Sequence, residues 1–304
     1  MRNRVQPWIQ AARPLAIPMI LMPLSLGQGL SYAENGQFAW TAFVHAAVFG
    51  VLFQIYLLYT NDHADAAIDK TSTQYWLSSG SRVLPEGRLR RHQLLVGARL
   101  VLLLLIGFVV YLGVSQERPL MAVGLVAAVV LSWAYDRDPL HLSYRGRGEI
   151  LQGLGCGVLL PLIGYYLQAG SLAGFYWLAA ILLFFVFFAS NIVTALPDYE
   201  SDKKGNKRTL PVRYGQRFAR WVVVVTSGFV FLGYLFLLDS PSFSVRCAVS
   251  LPAIVVLMFV AFSGLIGNAD VSNFARCKAF VNLASASQVW FLGTWLTVLA
   301  TGTE

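Results

Sequence analysis

The sequence predicts an all-α integral membrane protein of nine transmembrane helices joined by short loops. Three observations carry that prediction. Of 304 residues, 57% are hydrophobic and only 12% are charged, about half the usual charged share of a soluble domain. Nine apolar segments of helix length recur along the chain, and a helix needs about 20 apolar residues to cross the hydrocarbon. Twenty of the 23 lysines and arginines fall on one side of the path those segments trace, the positive-inside pattern. Lone strands would leave backbone groups unsatisfied in lipid, and 41 aromatic residues exclude a disordered chain.

The expected spans cover about 15–33, 40–60, 93–114, 119–135, 150–168, 173–196, 221–238, 245–265 and 279–300. Arg2, Arg4 and the tripeptide Ser31-Tyr32-Ala33 have the look of a secretory signal. The apolar run between them is long for one and many spans follow, so the first helix is expected to stay. Pro18, Pro23, Pro161 and Pro252 fall inside spans and mark expected kinks. The N-terminus and loops 61–92, 136–149, 197–220 and 266–278 carry the basic residues, which places them in the cytoplasm and the C-terminus outside. The outer loops reduce to AENGQ, SQERP, AGSLAG and DSPSFS, so function is expected on the cytoplasmic side. The chain reads as one polytopic domain, 1–304, with halves at about 8–145 and 146–270 and a ninth helix at about 279–300. A shift of 133 residues lays Asp65 on Asp198, Asp69 on Asp202 and Lys70 on Lys203. Two four-helix units of that kind would be parallel repeats.

The charged loops carry the chemistry. Asn61, Asp65 and Asp69 are spaced by four, as are Asp198 and Asp202, so each set shares a helix face. Like charges so placed repel unless a cation lies between them. Oxygen ligands without Cys or His favour Mg²⁺ over zinc; the cysteines (Cys156, Cys247, Cys277) and histidines are scattered. One acidic run at a helix end is ordinarily a solvated end. Two runs at matching positions in a chain of nearly uncharged spans are a functional site. Bases follow each run: Lys70 and Arg82 after the first, Lys203, Lys204, Lys207 and Arg208 after the second. Carboxylates, metal and bases together point to a polyanionic substrate. The net charge of +8 follows from topology and that substrate, and nucleic acid is not required.

These residues resemble the UbiA superfamily of intramembrane prenyltransferases. The first motif reads N-D-x-x-D-x-x-x-D at Asn61, Asp62, Asp65 and Asp69, and the second D-x-x-x-D at Asp198 and Asp202. Ala12-Arg13-Pro14-Leu15, followed by Pro23 and Gly27, is similar to the family's opening. Residues 135–149, with Tyr144-Arg145-Gly146 and Gly148-Glu149, and residues 197–215 look most like the 1,4-dihydroxy-2-naphthoate prenyltransferases of menaquinone synthesis. His63 stands where that subfamily usually has an aromatic residue. The resemblance implies helices around a central cavity open to lipid, capped by cytoplasmic loops. It also implies two Mg²⁺ ions on the diphosphate of a polyprenyl donor, an aromatic acid as acceptor, and the cytoplasmic membrane of a prokaryote.

On that reading Asn61, Asp65, Asp198 and Asp202 are the expected Mg²⁺ ligands, with Asp62 and Asp69 in support. Lys70, Arg82, Lys203 and Arg208 are expected on the diphosphate, stabilising charge as the allylic C–O bond breaks. Tyr135, Tyr144 and Tyr199 are candidates for a wall facing the allylic cation, or for interfacial anchors. Arg145 and Glu149 either pair at a helix start or orient the acceptor. Other acceptors, such as 4-hydroxybenzoate, cyclisation of the prenyl group itself, and an ion-coupled transporter stay as alternatives. Prenyl chain length and oligomeric state leave no mark in the sequence.

Overall fold

The computed structural model describes residues 5–69, 80–238 and 241–301, and within these the chain is helical. A short helix, Gln6–Ala12, leads into α1 (Ile17–Asn35). Then follow α2 (Trp40–Ala64), α3 (Arg91–Ser115), α4 (Leu120–Asp136), α5 (Gly148–Ala169), α6 (Trp177–Ala195), α7 (Gln216–Leu237), α8 (Phe243–Phe262) and α9 (Phe274–Thr301). Each apolar segment of the sequence becomes one of these helices. Among the described residues eight helices, counting Gln6–Asn35 as one, are long and apolar enough to cross a membrane. The exception is α4, which has 17 residues, about 25 Å at 1.5 Å per residue. Leu103 and Leu104 of α3, Val126 of α4, Phe236 of α7 and Phe259 of α8 are exposed on the outside, an apolar surface that lipid accommodates and water does not.

The helices pack mostly against their neighbours in sequence, α9 returns to α1, and α5 crosses α1 inside that ring. Glycine makes the inner crossing possible. A Cβ on Gly27 would run into the Pro161 carbonyl oxygen, and one on Gly164 into that of Leu24. Such small-residue contacts let helix backbones approach where lipid offers no hydrophobic drive. Within α5 the chain takes a π-helical register over Gly153–Leu159 before Pro161 opens the last turns. Gly153 and Gly157 there lie flat against Phe184 of α6. Wide helical registers of this type gather at functional sites.

The interior is not hollow throughout. Phe231 and Tyr234 of α7 meet Phe291 and Trp295 of α9 at ring separations of 5.0–5.2 Å, and all four are buried. Beneath them Arg220, fully buried, donates to the carbonyls of Ile266 and Ala269 at 2.9 Å and to Asp270 at 2.8 Å. That clamp ties the turn between α8 and α9 onto α7. The second half is therefore packed solid on its α7–α9 side, and open space is confined elsewhere.

Candidate active site

A cavity of about 350 Å³ lies among α1, α2, α4, α5 and α6, at the end that carries the long loops. Its lining comes from α1, α2, α4, α5, α6 and the polar segments beside them, and α3, α7, α8 and α9 contribute no lining residue; on the α7–α9 side aromatic packing fills the interior. The wall is graded. Ile20, Phe53, Leu57, Ala128, Leu159 and Phe187 form an apolar body, while Asn61, Asp65, Asp69, Asp198, Asp202 and Lys207 form a polar mouth. From Phe53 to Asp65 the wall runs twelve residues along α2, about 18 Å. A ligand with an anionic head and an apolar tail suits that shape.

The first acidic segment reaches the mouth through a break at the end of α2. Asp65 leaves the helix, its N–H still bonded to the Asn61 carbonyl at 2.8 Å, and one further turn, Ala66–Asp69, carries Asp69 back to the wall. Gly80 at φ +54° makes room for it; a Cβ there would lie 2.5 Å from Asp69 Oδ2. In the second segment Asp198 starts the helix Tyr199–Lys204, and the Asp202 N–H bonds the Asp198 carbonyl at 2.8 Å. The four-residue spacing in both segments thus turns every one of these polar groups toward one space.

Asp65 is the most heavily engaged. Tyr144 Oη donates to its Oδ1 at 2.7 Å and Lys207 Nζ to its Oδ2 at 3.0 Å, both charge-assisted. Thr209 Oγ1 donates to Asp202 at 3.2 Å. Burial pushes the Asp69 carboxyl up to about 7, and the charges of Asp62 and Asp65 add to it. Burial likewise lifts Asp202 to about 7, with Lys207 pulling the other way and Asp198 adding to the rise. Burial works against the Lys207 ammonium, but Asp65 and its other anionic neighbours outweigh it and hold the group well above the ordinary lysine value. Burial, then Asp65, keeps Tyr144 a neutral donor. Low-dielectric surroundings with more anionic than cationic side chains favour added positive charge, and the donors at the mouth are hard oxygens. Among the described residues, however, no three His, Cys, Asp or Glu side chains are gathered closely enough to hold a metal ion alone.

Residues 20–284 match the UbiA prenyltransferase family. The chain belongs to that family. Among its relatives, 1,4-dihydroxy-2-naphthoate octaprenyltransferase of Bacillus subtilis is 29% identical, but over only 36% of this chain and 35% of that protein. The Haemophilus influenzae protein of the same name is 27% identical over 70% of each chain. Protoheme IX farnesyltransferase of Alkalilimnicola ehrlichii is 28% identical over 68% of this chain and 65% of that one. A solved UbiA homologue from Archaeoglobus fulgidus, bound to GPP and Mg²⁺, superposes with a TM-score of 0.66 over 95% of this chain and 99% of its own, at 16% identity. That likeness is one of fold.

In this UbiA-family chain several expected site residues stand elsewhere. Asp62 is buried but does not line the cavity; it accepts from Arg13 and Ser81, since it sits one position along α2 from Asn61 and points another way. Lys203 is exposed and lies over the Tyr199 ring at 5.8 Å, so neither reaches the wall. Arg208 and Arg145 are exposed too, and the Arg208 N–H bonds the Tyr144 carbonyl at 3.2 Å. Glu149 accepts from the Leu210 N–H at 2.7 Å, which pins the second loop. Arg82 Nη1 donates to the Asp69 carbonyl at 3.1 Å, and Tyr144 touches the site through Asp65. Lys70 lies outside the described residues. Two further cations stand at the cavity. Lys207 is the lysine of its loop that lines the cavity, and Arg13, held at φ 42°, lines it from the start of the chain. Arg13 belongs to the opening motif Ala12-Arg13-Pro14-Leu15, whereas nothing local separates Lys207 from the three bases beside it.

Proposed function

We propose that this protein transfers a polyprenyl group from a prenyl diphosphate to an aromatic acid in the cytoplasmic membrane of a prokaryote, with 1,4-dihydroxy-2-naphthoate as acceptor and loss of its carboxylate. The observation that carries the reading is a graded cavity: acidic segments 133 residues apart meet Lys207 at its mouth, above an apolar body. The relatives' names agree with the reaction class. The protoheme farnesyltransferase at similar identity favours a second reading, in which the donor site is the same and the acceptor differs.

Asn61, Asp65, Asp198 and Asp202 would hold two Mg²⁺ ions, with Asn61 and the oxygens of the bound diphosphate completing what the carboxylates leave open. Mg²⁺ at the mouth supplies charge neutralisation for the leaving diphosphate. Tyr144 orients Asp65, and Asp69 adds negative charge beside it. Lys207 grips the diphosphate, and Arg82 steadies the Asp69 turn. Lys70 remains a proposed partner of the same group. The apolar body shelters the prenyl chain and keeps water from the allylic carbon, where it would divert the product to an alcohol. Tyr135, at the junction of mouth and body, offers the aromatic face. In the same reading α4 spans the bilayer as a ninth helix by local thinning. The two four-helix units are then parallel repeats within one domain, the mouth is cytoplasmic and the C-terminus outside.

The test is a product screen. Protein in liposomes receives one labelled prenyl diphosphate, Mg²⁺, and in turn 1,4-dihydroxy-2-naphthoate, 4-hydroxybenzoate and protoheme, with products identified by mass spectrometry. Decarboxylated prenylnaphthoquinol is the expected product. Product without acceptor would point to cyclisation, and none with any acceptor overturns the proposal.

A further inference from the structure

Asp136 ends α4 and belongs to neither acidic segment. It lines the same cavity, only 5% exposed, and its Oδ1 is buried with no hydrogen-bond partner among the described residues. Arg137 Nε stands 3.8 Å from that oxygen, beyond hydrogen-bonding distance. Three of the other carboxylates nearby are differently placed. Asp65 is taken by Tyr144 and Lys207, Asp202 by Thr209 and Glu149 by the Leu210 N–H. A buried carboxylate oxygen without a donor is costly, and a native site that keeps one calls for an explanation. Its position offers one. Ala128, Leu131, Ser132 and Tyr135 line the cavity along one face of α4, so Asp136 caps a wall whose lower part is apolar. The charged and titratable groups around it are Arg137, Tyr56 of α2, Asp65 and Lys207.

We propose that Asp136 binds the acceptor: its free oxygen accepts a hydrogen bond from a ring hydroxyl and takes that proton as the new carbon–carbon bond forms. The inference rests on the prenyl-transfer reading above. In the step, a ring π pair attacks the allylic carbon, and the C–O bond to diphosphate breaks with its pair leaving on the diphosphate. The O–H pair becomes the π bond of a ketone, and the proton passes to Asp136. When the acceptor carboxylate departs as CO₂, its bonding pair restores the ring. The ketone oxygen then recovers the proton and Asp136 is ionised again. No oxidant is consumed.

A site built to receive a hydroxyl rejects the analogue lacking it by large factors, because its buried partner is left unpaired. The experiment compares 1,4-dihydroxy-2-naphthoate with its hydroxyl methyl ethers, using wild type, Asp136→Asn and Asp136→Leu in detergent with Mg²⁺. Wild type is expected to prefer the free hydroxyl in one of the two ether positions by at least about 100-fold. In Asp136→Asn kcat for the hydroxyl acceptor should fall about 100-fold and in Asp136→Leu the preference should shrink below tenfold, with KM for prenyl diphosphate changed less than twofold in both. Wild type that takes every ether as readily overturns the inference without any variant, which covers a variant that fails to fold. Variants that keep the preference and lose only thermal stability overturn it as well, leaving the transfer reading intact. Wild type that binds prenyl diphosphate but prenylates no aromatic acid overturns both.

Discussion

The acidic segments after α2 and α6 share a spacing but not a mode of support. Among the described residues, the side-chain donors to Asp62 and Asp65 come from outside their own segment: Arg13, Ser81, Tyr144 and Lys207. Asp202 is held from within its own loop, by Thr209 seven residues on and by the backbone that returns Lys207 N–H to its carbonyl at 2.8 Å. The second acid is thus held by a local turn, which Glu149 and the Tyr144 carbonyl pin from outside, and its loop lends a lysine to the first segment. Symmetry of motif does not bring symmetry of energetics. Lys207 is the link, and it spans 142 residues of sequence to reach Asp65.

The comparison can be broken most forcefully at the carboxylates. Asp65→Asn and Asp198→Asn should each lose at least about two orders of magnitude in prenyl-transfer rate, the usual effect of removing a main electrostatic stabiliser. Near-normal turnover in either, measured with labelled donor in liposomes, would dissolve the pairing of the two segments. The link itself comes next. Lys207→Met should lower kcat/KM for prenyl diphosphate by about ten- to a hundredfold, while Lys203→Met and Arg208→Met stay within about threefold. Equal effects from all three would mean that loop charge matters and position does not.

Protonation separates the segments more gently. Asp69 and Asp202 have their carboxyl pKa raised to about 7, so below pH 7 a proton competes with any cation for them. Mg²⁺ affinity with a non-hydrolysable diphosphate analogue, followed by calorimetry, should fall by up to about tenfold per proton displaced for each pH unit below 7, and level off above it. The sign for the cation-free fold is opposite. An acid whose pKa is raised on folding stabilises fully below its unfolded value near 4, and that contribution is lost as pH climbs through 7. An affinity flat between pH 5 and 7 would contradict the shared charge of the mouth. The smallest effect is expected at Asp62→Asn, which leaves Arg13 without its anion. Melting in detergent should drop by a few degrees, with activity reduced less than tenfold; a loss as deep as that of Asp65→Asn would place Asp62 in the chemistry.

Within the described residues, the helical path and the acidic spacing were legible from residue order. Apolar runs of about 20 residues must be helices in lipid, and carboxylates four apart must share a face whichever way the helix turns. Asn61, Asp65 and Asp69 accordingly line one wall. The direction of the faces, and the choice among equivalent bases, required the tertiary structure. Lys203, Lys204, Lys207 and Arg208 are chemically interchangeable in a list, but Asn206 at φ 56° reverses the loop and leaves Lys207 toward the cavity and Lys203 and Arg208 outside. Hydropathy could not tell the open side of the bundle from the filled one, because Phe53 and Leu57 beside the cavity and Phe231 and Phe291 in the solid core have the same polarity. Nor could it mark Asp136, an acid at a helix end like many others until the wall beside it is seen. Hydrophobic period and charge spacing are properties of neighbours along the chain, whereas orientation and emptiness depend on residues a hundred or more positions away.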